Sequence, residues 1–289
     1  MTVTRRSSAP RLWLRLADGM AVVVILVTFG LSVDAMWSRP QRQPRSSVRP
    51  GIATEFRAES VGFVHLVTVD LRSPAVSVEL APVSEPNTEF RLVWLPTLLK
   101  QSGWVVAISG GDFSTPWGRY APAGNIGRPL GTLICEGRTV QRRAGGALLW
   151  FDEYQTGHLE MASDDSHAWT AARWGLGGPR LCVTDGVANA PPDGDRRGRR
   201  TVVGLDRSGC MLTLATFESA TVAESAEWLA AQGIWRAMEL GTAENAGIVI
   251  DTAGSPVRAT TGPQRFIVHA LGIRSTSTSE PAAPSVRRR

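Results

Sequence analysis

Arg200-Thr201-Val202-Val203-Gly204-Leu205-Asp206-Arg207-Ser208-Gly209-Cys210-Met211-Leu212-Thr213-Leu214-Ala215-Thr216 is the stretch that decides what kind of fold this chain makes. Two apolar runs rich in β-branched residues, 201–205 and 211–216, flank the turn Asp206-Arg207-Ser208-Gly209, the pattern of two antiparallel strands. A helix signal follows at once. Thr221 can cap it, Glu224 falls three residues on as in a capping box, and Gly233 ends a helix over 222–232.

Outward from there the apolar pattern is mostly that of strands. Residues 64–71 and 76–81 alternate around Ser73-Pro74 and predict a hairpin or meander. Apolar residues at 92, 93, 95, 98 and 99 form a helix-like stripe over 91–103 that stops at Gly103. A buried strand over 104–108 runs into Ser109-Gly110-Gly111-Asp112-Phe113. Short strands are predicted at 131–135, 147–151, 180–183, 248–250 and 266–271, with Asp185-Gly186 as one turn and 251–256 as another. Many strands with two helices make an α+β domain, not a doubly wound one.

The ends of the 289-residue chain read differently. Residues 1–16 carry four arginines and no acid, and 19–33 are uncharged and mostly apolar, a positive region followed by an apolar one. Fifteen residues fall short of the roughly 20 that cross a bilayer as a helix, and Val33-Asp34-Ala35 offers small residues for cleavage. Two readings stay open for 1–37, an exported protein cleaved near Ala35 or a hydrophobic helix that anchors the chain in a membrane. Both place the rest outside the cytoplasm. Residues 38–50, rich in proline and arginine, predict a disordered linker, 51–274 a single domain, and 275–289 a disordered tail.

The net charge of +5 does not point to nucleic acid, because much of the excess lies in the two ends rather than on a periodic face. Cys135, Cys182 and Cys210 have no metal-like spacing; one disulfide with a free thiol and three reduced thiols both remain open.

Five blocks along the domain carry a resemblance. They are Ala107-Ile108-Ser109-Gly110-Gly111-Asp112-Phe113; Pro129-Leu130-Gly131; Gly177-Gly178-Pro179-Arg180-Leu181 with Asp185-Gly186; Arg200-Thr201-Val202-Val203-Gly204-Leu205-Asp206; and Arg265-Phe266-Ile267. In this order they resemble the phosphodiester glycosidase family, exported or lumenal domains that hydrolyse a sugar 1-phosphodiester. Two positions depart from the family pattern. Ser109 stands where the family has Asn. Gly233-Ile234-Trp235-Arg236-Ala237-Met238-Glu239-Leu240 leads toward the family's Asp-Gly-Gly-Gly-Ser motif, but Gly241 then occupies the Asp position, with Thr242, Ala243 and Glu244 in place of the glycines. A second alignment puts Asp251-Thr252-Ala253-Gly254-Ser255 on the motif at the cost of an insertion.

The chemistry implied by the resemblance needs charge stabilisation on the departing phosphate and a carboxylate on the sugar side. Arg200 is the candidate for the first; Asp112, Glu239 and Glu244 are the candidate catalytic carboxylates. Ser109, Gly110, Thr201 and Gly241 complete the expected substrate-binding set. The resemblance leaves room for a divalent metal without naming its ligands. The expected partner is a phosphorylated glycan of the cell envelope, with Trp117, Trp150, Trp169 and Trp174 as candidate stacking residues. Three function classes follow: an active hydrolase, a glycan-binding domain of the same fold that no longer cuts, and a structural envelope protein. Ala107-Ile108-Ser109-Gly110-Gly111 with His269 also approximates a serine-hydrolase elbow, but Pro116 stands where that elbow needs a helix.

Overall fold

A computed structural model describes residues 46–81, 90–118, 121–189, 196–251, 258–261 and 266–276. The hydrophobic segment at 19–33 lies outside the described residues. Among those described, no helix is long and apolar enough to cross a membrane.

Among the described residues, four antiparallel sheets build the domain. The largest has eight strands in the order Ser46–Arg49, Ile52–Glu59, Gly62–Asp70, Met211–Ala220, Gly198–Leu205, Arg236–Thr242, Leu181–Thr184 and Val187–Ala188. A second sheet orders Arg138–Gln141, Leu133–Cys135, Trp174–Gly178, Ala147–Phe151 and Gly157–Met161; a third orders Arg258–Thr261, Ile248–Ile250, Val106–Ser109, Ala270–Ser275 and Val76–Ala81. The fourth is small: Phe90–Arg91, Ile126–Pro129 and Phe113–Ser114. With the α-helices Leu95–Ser102, Ala168–Ala171 and Val222–Ala231, this is a mixed domain made mostly of strands.

The 198–220 hairpin forms as its sequence requires, with Leu205 opposite Leu212 across the Asp206–Gly209 turn. Asp206 holds that turn by accepting the backbone N–H of Cys210 and of Met211, each at 2.9 Å. The helix Val222–Ala231 has the complete capping box, Thr221 Oγ1 accepting from Glu224 N at 3.1 Å and Glu224 Oε2 from Thr221 N at 2.8 Å. Its buried Val222, Ala226, Trp228 and Leu229 cover one face of the eight-stranded sheet together with Val202, Phe217 and Ala237. The other face contributes Val203, Leu205, Leu212, Leu214, Met238 and Leu240 to the main core.

Several expectations need correction. Residues 64–71 and 76–81 do not pair with each other: Gly62–Asp70 lies between Ile52–Glu59 and Met211–Ala220, while Val76–Ala81 pairs with Ala270–Ser275 in another sheet. Alternation sets which face of a strand is buried; it does not name the neighbour. The helix expected over 91–103 begins only at Leu95, with Pro96 in its first turn, because Phe90–Arg91 is claimed by a strand and Val93 by a bridge to Ile267. Ser46–Arg49, within the stretch read as linker, adds a strand on the edge of the large sheet, so the ordered domain starts before residue 51. Of the two cysteine readings left open, the reduced one holds: Cys135, Cys182 and Cys210 are free thiols.

Candidate functional site

The site grows from an irregularity in the register of two strands. Arg200 pairs with Thr242 and Val202 with Glu239, so Leu240 and Gly241 together oppose the single residue Thr201. That is a β-bulge, which leaves ladder groups unpaired. The Thr201 hydroxyl occupies the gap, accepting from Gly241 N at 3.0 Å and donating to Gly241 O at 3.2 Å. Gly241 and Thr201 therefore meet as expected, and both are buried.

The other blocks close around this bulge through their backbones. Gly111 has φ of 110° and packs so near the Leu240 carbonyl that a Cβ would stand 3.3 Å from that oxygen. At Gly178 a Cβ would lie 2.2 Å from the Glu239 carbonyl, so only glycine fits. Leu130 N donates to Asp112 O at 2.9 Å and Gly177 N to Thr132 O at 2.7 Å, tying the Pro129-Leu130-Gly131 block to its neighbours. Ser109 is fully buried; its backbone N–H donates to Gly247 O at 3.0 Å, and its hydroxyl accepts from Gly247 N at 3.2 Å. Gly110 N donates to His269 O at 3.0 Å. The His269 ring is buried, and that burial holds its pKa down at about 4. The segment after Ser109 is the strand Phe113–Ser114 rather than a helix, so no nucleophile elbow forms.

Arg200 is not a solvated charge. It is only 5 % exposed, Glu239 only 2 %, and its NH1 donates to Glu239 Oε1 at 2.5 Å. Nε donates to Ala220 O at 2.8 Å and NH2 to Arg196 O at 2.7 Å, so all three guanidinium nitrogens have protein acceptors. Arg180, nearer the surface, places its Nε 3.5 Å from Glu239 Oε2. Burial first, and the Glu239 carboxylate second, push the Cys182 thiol up to about 12.

Strand alternation sorts the candidates by face. Met238 and Leu240 point into the main core, and Ala237 into the cluster under helix Val222–Ala231. Glu239 shares the face of Ala237, and Arg200 reaches it there. Asp112 belongs to a different grouping: its Oδ1 accepts from Asn245 Nδ2 at 3.2 Å. Asn245 Oδ1 is buried without a hydrogen-bond partner. Glu244 sits half-buried on the 3-10 turn Ala243–Asn245 that follows the bulge. Ala243 has φ of 49°, a left-handed backbone that favours glycine.

Sequence reasoning missed Asn245, Arg180 and the carbonyl partners of Arg200. The available signal for Asn245 was a polar side chain directly after Glu244; for the carbonyls there was none. Of the tryptophans, Trp150 and Trp174 are buried, Trp169 lies under the Arg142 guanidinium at 4.5 Å, and Trp117 is 65 % exposed. Among the described residues no three His, Cys, Asp or Glu side chains gather as a metal site would need. Asp251, the acid of the second alignment, is half-buried, and its backbone N–H donates to Val105 O at 2.7 Å. Residues 252–257, the rest of that motif, lie outside the described residues.

Fold and site together define an antiparallel α+β domain organised around a glycine-lined bulge. The profile of the phosphodiester glycosidase family matches residues 102–274, and the chain belongs to that family. Among solved structures, it is similar to the catalytic domain of zebrafish N-acetylglucosamine-1-phosphodiester alpha-N-acetylglucosaminidase auto-inhibited by its pro-peptide. The two share 20 % identity over 82 % of this chain and 88 % of that one, at a TM-score of 0.56. It is similar as well to a hypothetical protein from Synechocystis, at 14 % identity and a TM-score of 0.54, over 82 % of this chain and 64 % of that one. The chain thus spans just under two thirds of the Synechocystis protein. At these identities the likeness is one of fold. No functionally curated protein matches the chain.

Proposed function

We propose that this is a phosphodiester-glycosidase domain that has given up hydrolysis and retained recognition of a phosphorylated glycan, held outside the cytoplasm by its N-terminal segment. The observation that carries this reading is the buried Arg200–Glu239 pair. In the reaction implied by the family, a free arginine would meet the departing phosphate. Here the guanidinium already serves Glu239, Ala220 O and Arg196 O, and a phosphate brought to it would be repelled by the Glu239 carboxylate. A glycine, Gly241, stands where the resemblance places the family acid, and of the other candidate carboxylates Asp112 is hydrogen-bonded by Asn245.

The test is hydrolysis of a nitrophenyl sugar phosphodiester by the purified full-length chain, with and without a divalent cation. The expected result is no turnover above buffer in either condition. Turnover abolished by Arg200→Ala or Asp112→Asn would overturn the reading and establish a working enzyme with a rebuilt acid.

A further inference from the structure

The small sheet Phe90–Arg91, Ile126–Pro129, Phe113–Ser114 has two unlike faces. Phe90, Gly127, Pro129 and Phe113 are turned inward and buried, while Arg91, Arg128 and Ser114 are exposed. Arg91 stands opposite Ile126 and Arg128 opposite Ser114. With side chains alternating along a strand, Arg91, Ile126, Arg128 and Ser114 share the outer face. Arg91 and Arg128 are diagonal neighbours there, roughly 7–8 Å apart.

A groove of about 720 Å³ runs over this face, lined by Arg91, Arg128, Ser114, Asn125 and the loop bearing Pro116 and Trp117. A second, of about 700 Å³, shares Ser114 and Arg128 and continues past Leu130 to Arg142. Among the described residues, neither lining holds an Asp or Glu. Arg142 is engaged by Asp164 and Arg91 donates to the Gly124 carbonyl, whereas Arg128 has no side-chain partner among the described residues. Trp117, 65 % exposed, is the large aromatic of this wall.

We infer that this double groove binds a sugar carrying an anionic group, with Trp117 stacking on the ring and Arg128 and Arg91 holding the anion. An indole left this far in water has an unused apolar face, and sugar rings present flat C–H surfaces to such faces. Arginine suits phosphate and carboxylate through its planar fork, and the groove volumes fit one or two sugar units. A nucleic acid would call for a row of stacking platforms along a basic stripe. The inference rests on the glycan-recognition reading for the sugar but not on the fate of the Arg200 centre.

The experiment is titration of the full-length chain with phosphomannan, polygalacturonate, neutral mannan and a single-stranded oligodeoxynucleotide, followed by tryptophan fluorescence and calorimetry. Phosphomannan or polygalacturonate, or both, should bind with salt-sensitive affinity at least about tenfold above mannan; the pattern tells phosphate from carboxylate. Arg128→Ala should weaken that binding about tenfold or more, Arg128→Lys less, and Trp117→Ala several-fold with loss of the fluorescence change. These exposed positions should leave the melting temperature unchanged. Equal binding of mannan, no glycan binding, indifference to Arg128→Ala, or an oligonucleotide bound more tightly than either anionic glycan would each overturn the inference. Hydrolysis assayed on the same preparations keeps the two readings apart: turnover with intact Arg128-dependent binding sinks only the loss of catalysis, and binding indifferent to Arg128 without turnover sinks only the groove.

Discussion

Replacing Glu239 with leucine removes the carboxylate that neutralises Arg200 while the guanidinium stays buried. Water reaches neither partner well, at 5 % and 2 % exposure, so the orphaned charge cannot be screened in place. Breaking a buried pair from one side costs about 3–5 kcal/mol. Arg180, with its side chain 44 % exposed, lies on the carboxylate's other oxygen and cannot substitute for it, being a cation itself. For a domain of this size each kcal/mol lowers the melting temperature by about 2–4 °C, so Glu239→Leu should melt roughly 6–20 °C early. The double variant Arg200→Met/Glu239→Leu should fall short of the sum of the two single losses by about 2 kcal/mol or more, since the charge leaves with its partner. It will not return fully to wild type, because Ala220 O and Arg196 O each lose a donor. Urea and thermal unfolding of the four proteins measure this. A Glu239→Leu variant that melts within about 2 °C of the parent, or single losses that simply add, would refute the internal role of the pair and free Arg200 for a ligand.

Other outcomes follow from single features. Ala243→Gly should stabilise the domain by about 1 kcal/mol, because its φ of 49° costs a Cβ-bearing residue more than the entropy glycine adds to the unfolded chain; chemical denaturation reads it. Thr221→Ala should cost about 1 kcal/mol by dismantling the capping box, with Ser restoring most of it. Burial holds both His65 and His269 at about 4, below their ordinary 6.5. The unfolded chain therefore takes up more protons as pH falls below about 6.5, and stability should drop by up to about 1.4 kcal/mol per pH unit for each ring until pH 4. Urea midpoints at pH 7 and pH 5 should differ accordingly, and His65→Gln should flatten the profile.

Much of the fold was legible because its signals are local. Helix Val222–Ala231 carries its own cap, the Asp206–Gly209 turn carries its own acceptor, and Val76–Ala81, Ala147–Phe151 and Ile248–Ile250 lie within continuous apolar or alternating runs. The family blocks were legible for a related reason. Glycines such as Gly111 and Gly178 sit where backbones touch, and a residue without a Cβ is visible in any sequence.

The α+β class and the family could be read from the chain alone, because turns, caps and touching glycines are local signals. The role of Arg200 depends on contacts between distant segments. In sequence this residue ends the basic run Arg196-Arg197-Gly198-Arg199-Arg200 and reads as a group for a phosphate; in space a bulge 40 residues away shifts the register so that Glu239 meets it under a helix. Pairing partners, register and burial depend on chain segments far apart, and a charge takes its meaning from whichever group it is buried against. The same holds for Arg91 and Arg128, unremarkable along the chain, which a three-stranded sheet of eight residues brings to one surface beside Trp117.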